Sequence, residues 1–204
     1  RFAMGETETK CRGAGRPRCF ETEKVLEQAG AIFWSKGYAS TSLTDLTKAT
    51  GLNKGSIYST FGDKHSLFLK CLKRYLDQRL EVLQETLSHD DPKTCLLNVF
   101  TALEQNQCEH PSGCLALNTL TELGPHDAKA RCLLDSHLAE VEKLIRAVLE
   151  RGQRSGVFGE FPVELASRTL CSVILAMKAR ARSHQLDSLD HRLGPFLLDL
   201  LAKA

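Results

Sequence analysis

The chain has 204 residues, 42% of them apolar and 25% charged, with a net charge of +2. This is ordinary globular composition, long enough for one or two domains around a sizeable core. No apolar run reaches the roughly 18 residues of a membrane span and no secretory leader pattern opens the chain, which argues against a membrane-spanning or secreted protein.

The charge is unevenly placed. Residues 10–75 carry twelve Lys and Arg against five Asp and Glu, and residues 76–204 carry fourteen against eighteen. A basic N-terminal third on a mildly acidic body suits a polyanion-binding head, although a solvated lysine-rich face has the same charge. The eight cysteines fall at irregular spacings without a C-x-x-C pair. They read as reduced thiols of a cytoplasmic protein, most of them small buried apolar residues.

Arg1, Phe2 and Ala3 precede Met4 and are set aside from the fold. Residues 4–18 are polar and hold Gly5, Gly13, Gly15 and Pro17, so residues 1–18 are expected to be a flexible basic arm. A helix is predicted from about Phe20, with Val25, Ala29, Ile32 and Phe33 on one inward stripe and Gly37 at its end. Ser42 with Asp45 three residues on predicts a second helix opened by a capping box. Leu43, Leu46 and Ala49 give it an inner face, and Gly51 stops it. Asn53 then caps a short third helix with Ile57 and Phe61 inward. Gly62 closes that helix, and Asp63 caps a long fourth one through about Ser88.

The remainder also reads as helical. Pro92 marks a helix start, where its missing N–H costs nothing. The stretch "QCEHPSG" is expected to be a loop. Residues 114–123 form a short apolar helix ended by Gly124 and Pro125. Residues 128–151 form a long helix with Leu134, Leu138, Val141, Leu144, Ile145 and Val148 inward. "GQRSGVFGEFP" reads as a loop, followed by helices over residues 163–182 and 189–202.

Two short helices joined by a glycine turn make a helix-turn-helix, whose second helix enters the DNA major groove. That helix carries Lys54, Gly55, Ser56, Tyr58, Ser59 and Thr60 outward, with little bulk and no acid. Gly55 lets the backbone approach the groove, and Lys54 can donate to guanine O6/N7 or to a phosphate. Ser56, Tyr58 and Thr60 can donate to phosphate oxygens. Thr41 and Ser42 stand at a helix N-terminus suited to a phosphate, and Lys64 can grip the same strand. Tyr58 has an alternative place in the core of the three-helix unit, which is where Phe61 is expected. In the arm, Arg16 and Arg18 flank Pro17. They are read either as minor-groove contacts or as non-specific charge.

Residues 33–38, Thr41–Ser42 and "GLNKGSIYSTFGDKHSLF" at residues 51–68 resemble the DNA-binding head of TetR-family repressors. The shared pattern is a small residue, a short variable stretch, "IY", two variable positions, "F", then "K" and an apolar pair. The match spans about 50 residues, and "GRPR" at residues 15–18 also recurs in the family. "SGCLALNTLTEL" at residues 112–123 resembles a segment of one group of members. The resemblance implies an all-α homodimer, with a three-helix head at residues 19–63 on a larger body at 64–204 that binds ligand and dimerises. It implies a double-stranded, palindromic DNA operator and a small-molecule effector. The long fourth helix links the two. No cofactor and no metal are expected.

By apolar pattern, the implied pocket falls to Phe100, Leu103, Leu117, Leu120, Val141, Leu144, Ile145 and Ile174. The implied dimer seam falls on the last two helices, at Leu170, Val173 and Met177 and at Leu193, Phe196, Leu197 and Leu200. Cys108, His110 and Cys114 share the predicted loop. Their spacing is too irregular for a defined metal site, so Cys108 and Cys114 stand as possible sensor thiols. Two competing readings remain: a non-specific DNA-packing protein and a cysteine-dependent small-molecule enzyme. No G-x-S-x-G, H-E-x-x-H, P-loop or G-x-G-x-x-G supports an enzyme.

Overall fold

The computed structural model describes residues 18–109, 113–182 and 190–203, with side chains over 22–105, 113–180 and 192–202. All secondary structure among these residues is helical. The helices are α1 (Arg18–Lys36), α2 (Leu43–Thr50), α3 (Lys54–Phe61), α4 (Lys64–Thr86), α5 (Pro92–Glu109), α6 (Leu115–Glu122), α7 (Ala128–Arg154), α8 (Val163–Arg182) and α9 (Asp190–Lys203).

Local chemistry sets the boundaries of the first four. Gly37 and Gly51 take φ of 83° and 68° after α1 and α2, a left-handed turn that glycine adopts without strain. Ser42 and Asp45 close the capping box, the two N–H···O bonds being 3.1 and 2.9 Å. Asn53 Oδ1 accepts from Ser56 N at 2.8 Å and Asp63 Oδ1 from Ser66 N at 2.6 Å, so α3 and α4 also begin on side-chain caps.

Two apolar cores follow. The first gathers Ala29 and Phe33 of α1, Leu46 of α2, and Ile57 and Phe61 of α3 around Leu67, Phe68 and Leu72 of α4. It also takes in Leu115, Ala130 and Leu134 from α6 and α7. Phe33 and Phe68 meet edge to face at 5.1 Å, both fully buried. The second core joins Leu87, Leu96, Val99 and Phe100 to Ile145 and Leu149 of α7, Met177 of α8 and Leu198 of α9. Helix α4 has 23 residues, a length of about 34 Å. Its first half belongs to one core, and Leu83 near its end packs on the other.

Three predicted boundaries are corrected. Helix α1 already begins at Arg18 and not near Phe20, so that residue belongs to a helix and not to the flexible arm predicted over residues 1–18; Arg16 and the rest of the arm lie outside the described residues. Helix α5 continues to Glu109, which puts Cys108 in a helix rather than a loop. Helix α7 runs past Gly152 to Arg154, because Gly152 serves there as a packing surface and not as a stop.

Candidate nucleic-acid interface and the cavity behind it

The cap at Asn53, the αL turn at Gly51 and the buried Ile57 and Phe61 fix one face of α3 inward. The opposite face carries Lys54, Gly55, Ser59 and Thr60, all exposed, and Tyr58, whose side is 48% open to solvent. Ser56 is half-buried. Tyr58 therefore lies outside the head core. A Cβ on Gly55 would come 3.3 Å from the capping Asn53 Oδ1, so this glycine protects the cap as well as slimming the helix. Lys64 is half-buried at the start of α4, its ammonium 4.4 Å from the Tyr38 ring centroid, a cation–π contact.

The N-terminus of α2 differs from expectation. Thr41 is buried, and its hydroxyl donates to the Gly37 carbonyl at 2.6 Å. The Ser42 hydroxyl donates to Asp45 Oδ2 at 2.7 Å. Lys36 sits 2.6 Å from the other Asp45 oxygen. The Lys36 ammonium and then Ser42 hold the Asp45 carboxyl well below its ordinary range, so it stays ionised. The predicted phosphate site at Thr41 and Ser42 is thus occupied by the protein's own groups: one hydroxyl turns inward, and a carboxylate holds the helix end.

Two polar ties bind the head to the body, and a third holds the first turn of α4, on which the head packs, to the start of α7. Trp34 Nε1 donates to Gly113 O at 2.8 Å. The Glu122 carboxylate accepts from Tyr38 N and Ala39 N at 3.1 and 2.7 Å, clasping the turn between α1 and α2. His65 Nε2 lies 2.5 Å from Asp127 Oδ2. Burial works to raise the Asp127 pKa, but the Ala130 N–H and His65 outweigh it and the net shift is downward. Helix α6 thus runs from the Trp34 contact to the clasp at Glu122.

Behind the head, between the two cores, is a cavity of about 160 Å³. Helix α1 supplies Trp34 and α4 supplies Tyr75, Arg79, Val82 and Leu83. The other walls come from Val99 and Leu103 of α5, Cys114 before α6, His137, Val141 and Ile145 of α7, and Ile174, Met177 and Lys178 of α8. Of the predicted pocket residues, Leu103, Val141, Ile145 and Ile174 are there. The others are not. Phe100 packs against Gly194, whose added Cβ would lie 2.6 Å from its ring. Leu144 joins the second core and Leu120 the first, and Leu117 is half-buried away from the lining. Apolar periodicity selected core positions and passed over Trp34, Arg79, His137 and Lys178, since none continues an apolar stripe.

The predicted seam also divides. Leu170 and Met177 are 3% and 1% exposed within the single chain, so they belong to its own core. Val173, Leu193 and Leu197 pack partly buried against that core. Phe196 and Leu200, one turn apart on α9, are exposed at 59% and 52%.

Of the thiols, Cys114 is buried in the cavity wall with the Tyr75 hydroxyl 3.6 Å from its sulfur. The side chains of Cys108 and His110 lie outside the described residues. Burial pushes the Cys71 thiol up to about 12 and Cys171 to about 11, which makes both inert packing residues. Among the described residues, no helix is long and apolar enough to cross a membrane.

Comparison with known proteins gives the same picture at both ends. Residues 25–71 match the family described as bacterial regulatory proteins, tetR family, and residues 95–193 match the tetracyclin repressor-like C-terminal domain. The HTH-type transcriptional repressor ComR of Escherichia coli is 30% identical over 159 residues, 75% of this chain and 76% of that protein. The repressor BdcR of the same organism is 27% identical over 90% of each chain. Among solved structures, a TetR-family regulator from Cytophaga hutchinsonii superposes with a TM-score of 0.81 at 23% identity, covering 94% of this chain and 98% of that one. A cysteine-substituted form of the regulator CifR, solved with 26-bp double-strand operator DNA, superposes with a TM-score of 0.78 at 24% identity, covering 92% and 100%. With a helix-turn-helix head, a helical body and a relative of this likeness, the chain belongs to the TetR family of helix-turn-helix transcriptional regulators.

Proposed function

We propose that this regulator is a homodimeric repressor, acting in the cytoplasm, that grips a two-fold-symmetric operator through α3 and is released by a small molecule in the cavity. The observation that carries this reading is the sharing of α1 and α4. One side of these helices completes the head core, and the other walls the cavity. A ligand shifts such a system only by its different affinity for two head positions, and DNA and ligand then weaken each other equally.

In this reading residues 19–63 are the DNA-binding unit and 64–204 the ligand and dimer unit. Lys54, Gly55, Ser56, Tyr58, Ser59 and Thr60 face the major groove, and Lys64 holds a phosphate. Arg16 from the arm and Arg18 from the start of α1 add contacts. Selection from random double-stranded DNA tests it. The expected product is a pair of half-sites related by two-fold symmetry, about one helical turn apart or a multiple of that. Binding that grows with DNA length and selects no sequence would instead mark a DNA-packing protein.

Lys64→Ala is expected to weaken all operators alike and to reduce the salt slope of binding by about 1. An unchanged slope in a folded variant takes Lys64 off the contact list. Cys114 offers a second, covalent route to release, because its sulfur is in the cavity wall at the start of α6. The expected result is operator release by N-ethylmaleimide in the parent and none in Cys114→Ser. Equal behaviour of the two proteins makes Cys114 a packing residue.

A further inference from the structure

The cavity wall is chemically one-sided. Among the described lining residues are three bases, Arg79, His137 and Lys178, and no Asp or Glu. None of the ion pairs among the described residues uses Arg79 or Lys178. Arg79 is half-buried, and its guanidinium lies 5.2 Å from the Tyr75 ring centroid and 5.9 Å from that of Trp34. The Tyr75 hydroxyl also accepts from this guanidinium; a phenol and two ring faces are weak partners for a cation beside what a carboxylate offers. Burial, then Lys178, holds the His137 pKa below its ordinary value against a smaller pull from Asp77. These surroundings favour the neutral imidazole, so Arg79 and Lys178 are the principal cations of the wall.

Most of the rest of the lining is apolar, with Val82, Leu83, Val99, Leu103, Val141 and Ile145 beside Trp34, Tyr75 and Met177, and Thr86 and Cys114 add one hydroxyl and one thiol. An apolar cavity of about 150 Å³ accepts a benzene-sized guest, and this one measures about 160 Å³. From bases with no carboxylate partner among the described residues, the largely apolar remainder and the size, we propose that the cavity takes a small organic carboxylate of about one substituted ring, anchored by Arg79. This deepens the ligand-release reading given above and rests on it for its regulatory meaning.

The carboxylate accepts two parallel N–H···O bonds from the planar guanidinium. Arg79 then leaves the faces of Tyr75 and Trp34. Trp34 stands near the end of α1, tied to Gly113 and three residues before the turn at Gly37. Displacing it acts on the head directly, through α1, and not only along α4. Trp34 is also the single tryptophan of the chain, so its emission reports the event.

The experiment uses the full chain. Benzoate, 4-ethylbenzoate and hexanoate are titrated against their neutral amides, followed by Trp34 fluorescence and calorimetry. The operator complex is followed separately by anisotropy. At least one carboxylate is expected to bind about 10- to 100-fold more tightly than its amide and to shift Trp34 emission, the factor that a charge-assisted bond supplies. Arg79→Met should erase that preference while keeping amide binding, which also reports a folded cavity. Arg79→Lys should retain part of it. Amide binding equal to carboxylate binding, a preference that survives Arg79→Met, or binding by none of the carboxylates overturns the assignment. Carboxylate binding that leaves the operator complex intact keeps the assignment and removes ligand release. Release by amides and carboxylates alike keeps ligand release and removes the assignment.

Discussion

Gly152→Ala is expected to lower stability by on the order of 2 kcal/mol, although alanine is the better helix former. Helix α7 passes through Gly152, the chain turns at Gly156, and Phe158 returns over the helix. Val157 N and Phe158 N both donate to the Gly152 carbonyl, at 3.0 and 3.1 Å, which pins the returning strand of chain. A Cβ on residue 152 would lie 2.0 Å from Phe158 Cδ2 and 2.5 Å from Cε2. The ring is 3% exposed and cannot yield without leaving the second core. Helix propensity returns at most about 1 kcal/mol, against an overpacking cost of about 1–3 kcal/mol and the loss of ring burial. Urea unfolding measures the shift in midpoint, and adding Phe158→Leu should recover part of it through the coupling of touching residues. A midpoint that stays put or rises would show that the ring has room to move.

The second large effect is expected from Phe196→Glu. In the isolated chain this side chain is 59% exposed and Leu200 beside it 52%, so a surface change of this kind should alter folding by about 0.5 kcal/mol or less. In the proposed dimer the same patch meets itself across a two-fold axis, so each substitution places two carboxylates in an apolar seam, at several kcal/mol. The subunits should then separate in sedimentation with the helical content intact. A lone head holds one half-site, so operator affinity should fall by about 10²-fold or more. Leu197→Glu is a poorer test, because Leu197 packs against the core of its own chain and its loss would confuse folding with assembly. A Phe196→Glu protein that remains dimeric puts the seam on another face.

These expectations separate two kinds of information. Local chemistry along the chain settles the helix ends of the head: Ser42 with Asp45, Gly51, Asn53, Gly62 and Asp63 set them through bonds that span four residues or fewer, and the structure reproduces each. The sequence also shows which stripes turn inward, since a 3.6-residue period needs no partner to be read. Tertiary structure decided where distant segments meet. It placed Arg79, Trp34, His137 and Lys178 around one cavity from four helices, and no periodic signal marks such polar residues. It kept Leu170 and Met177 for the chain's own core and left Phe196 and Leu200 outside, although all four read alike as apolar. It also made Gly152 part of a helix, because the space that glycine leaves is filled by a ring six residues further on. Local caps depend on bonds within a turn or two, whereas burial and polar pairing depend on which other helix arrives, and that is fixed only when the whole chain packs.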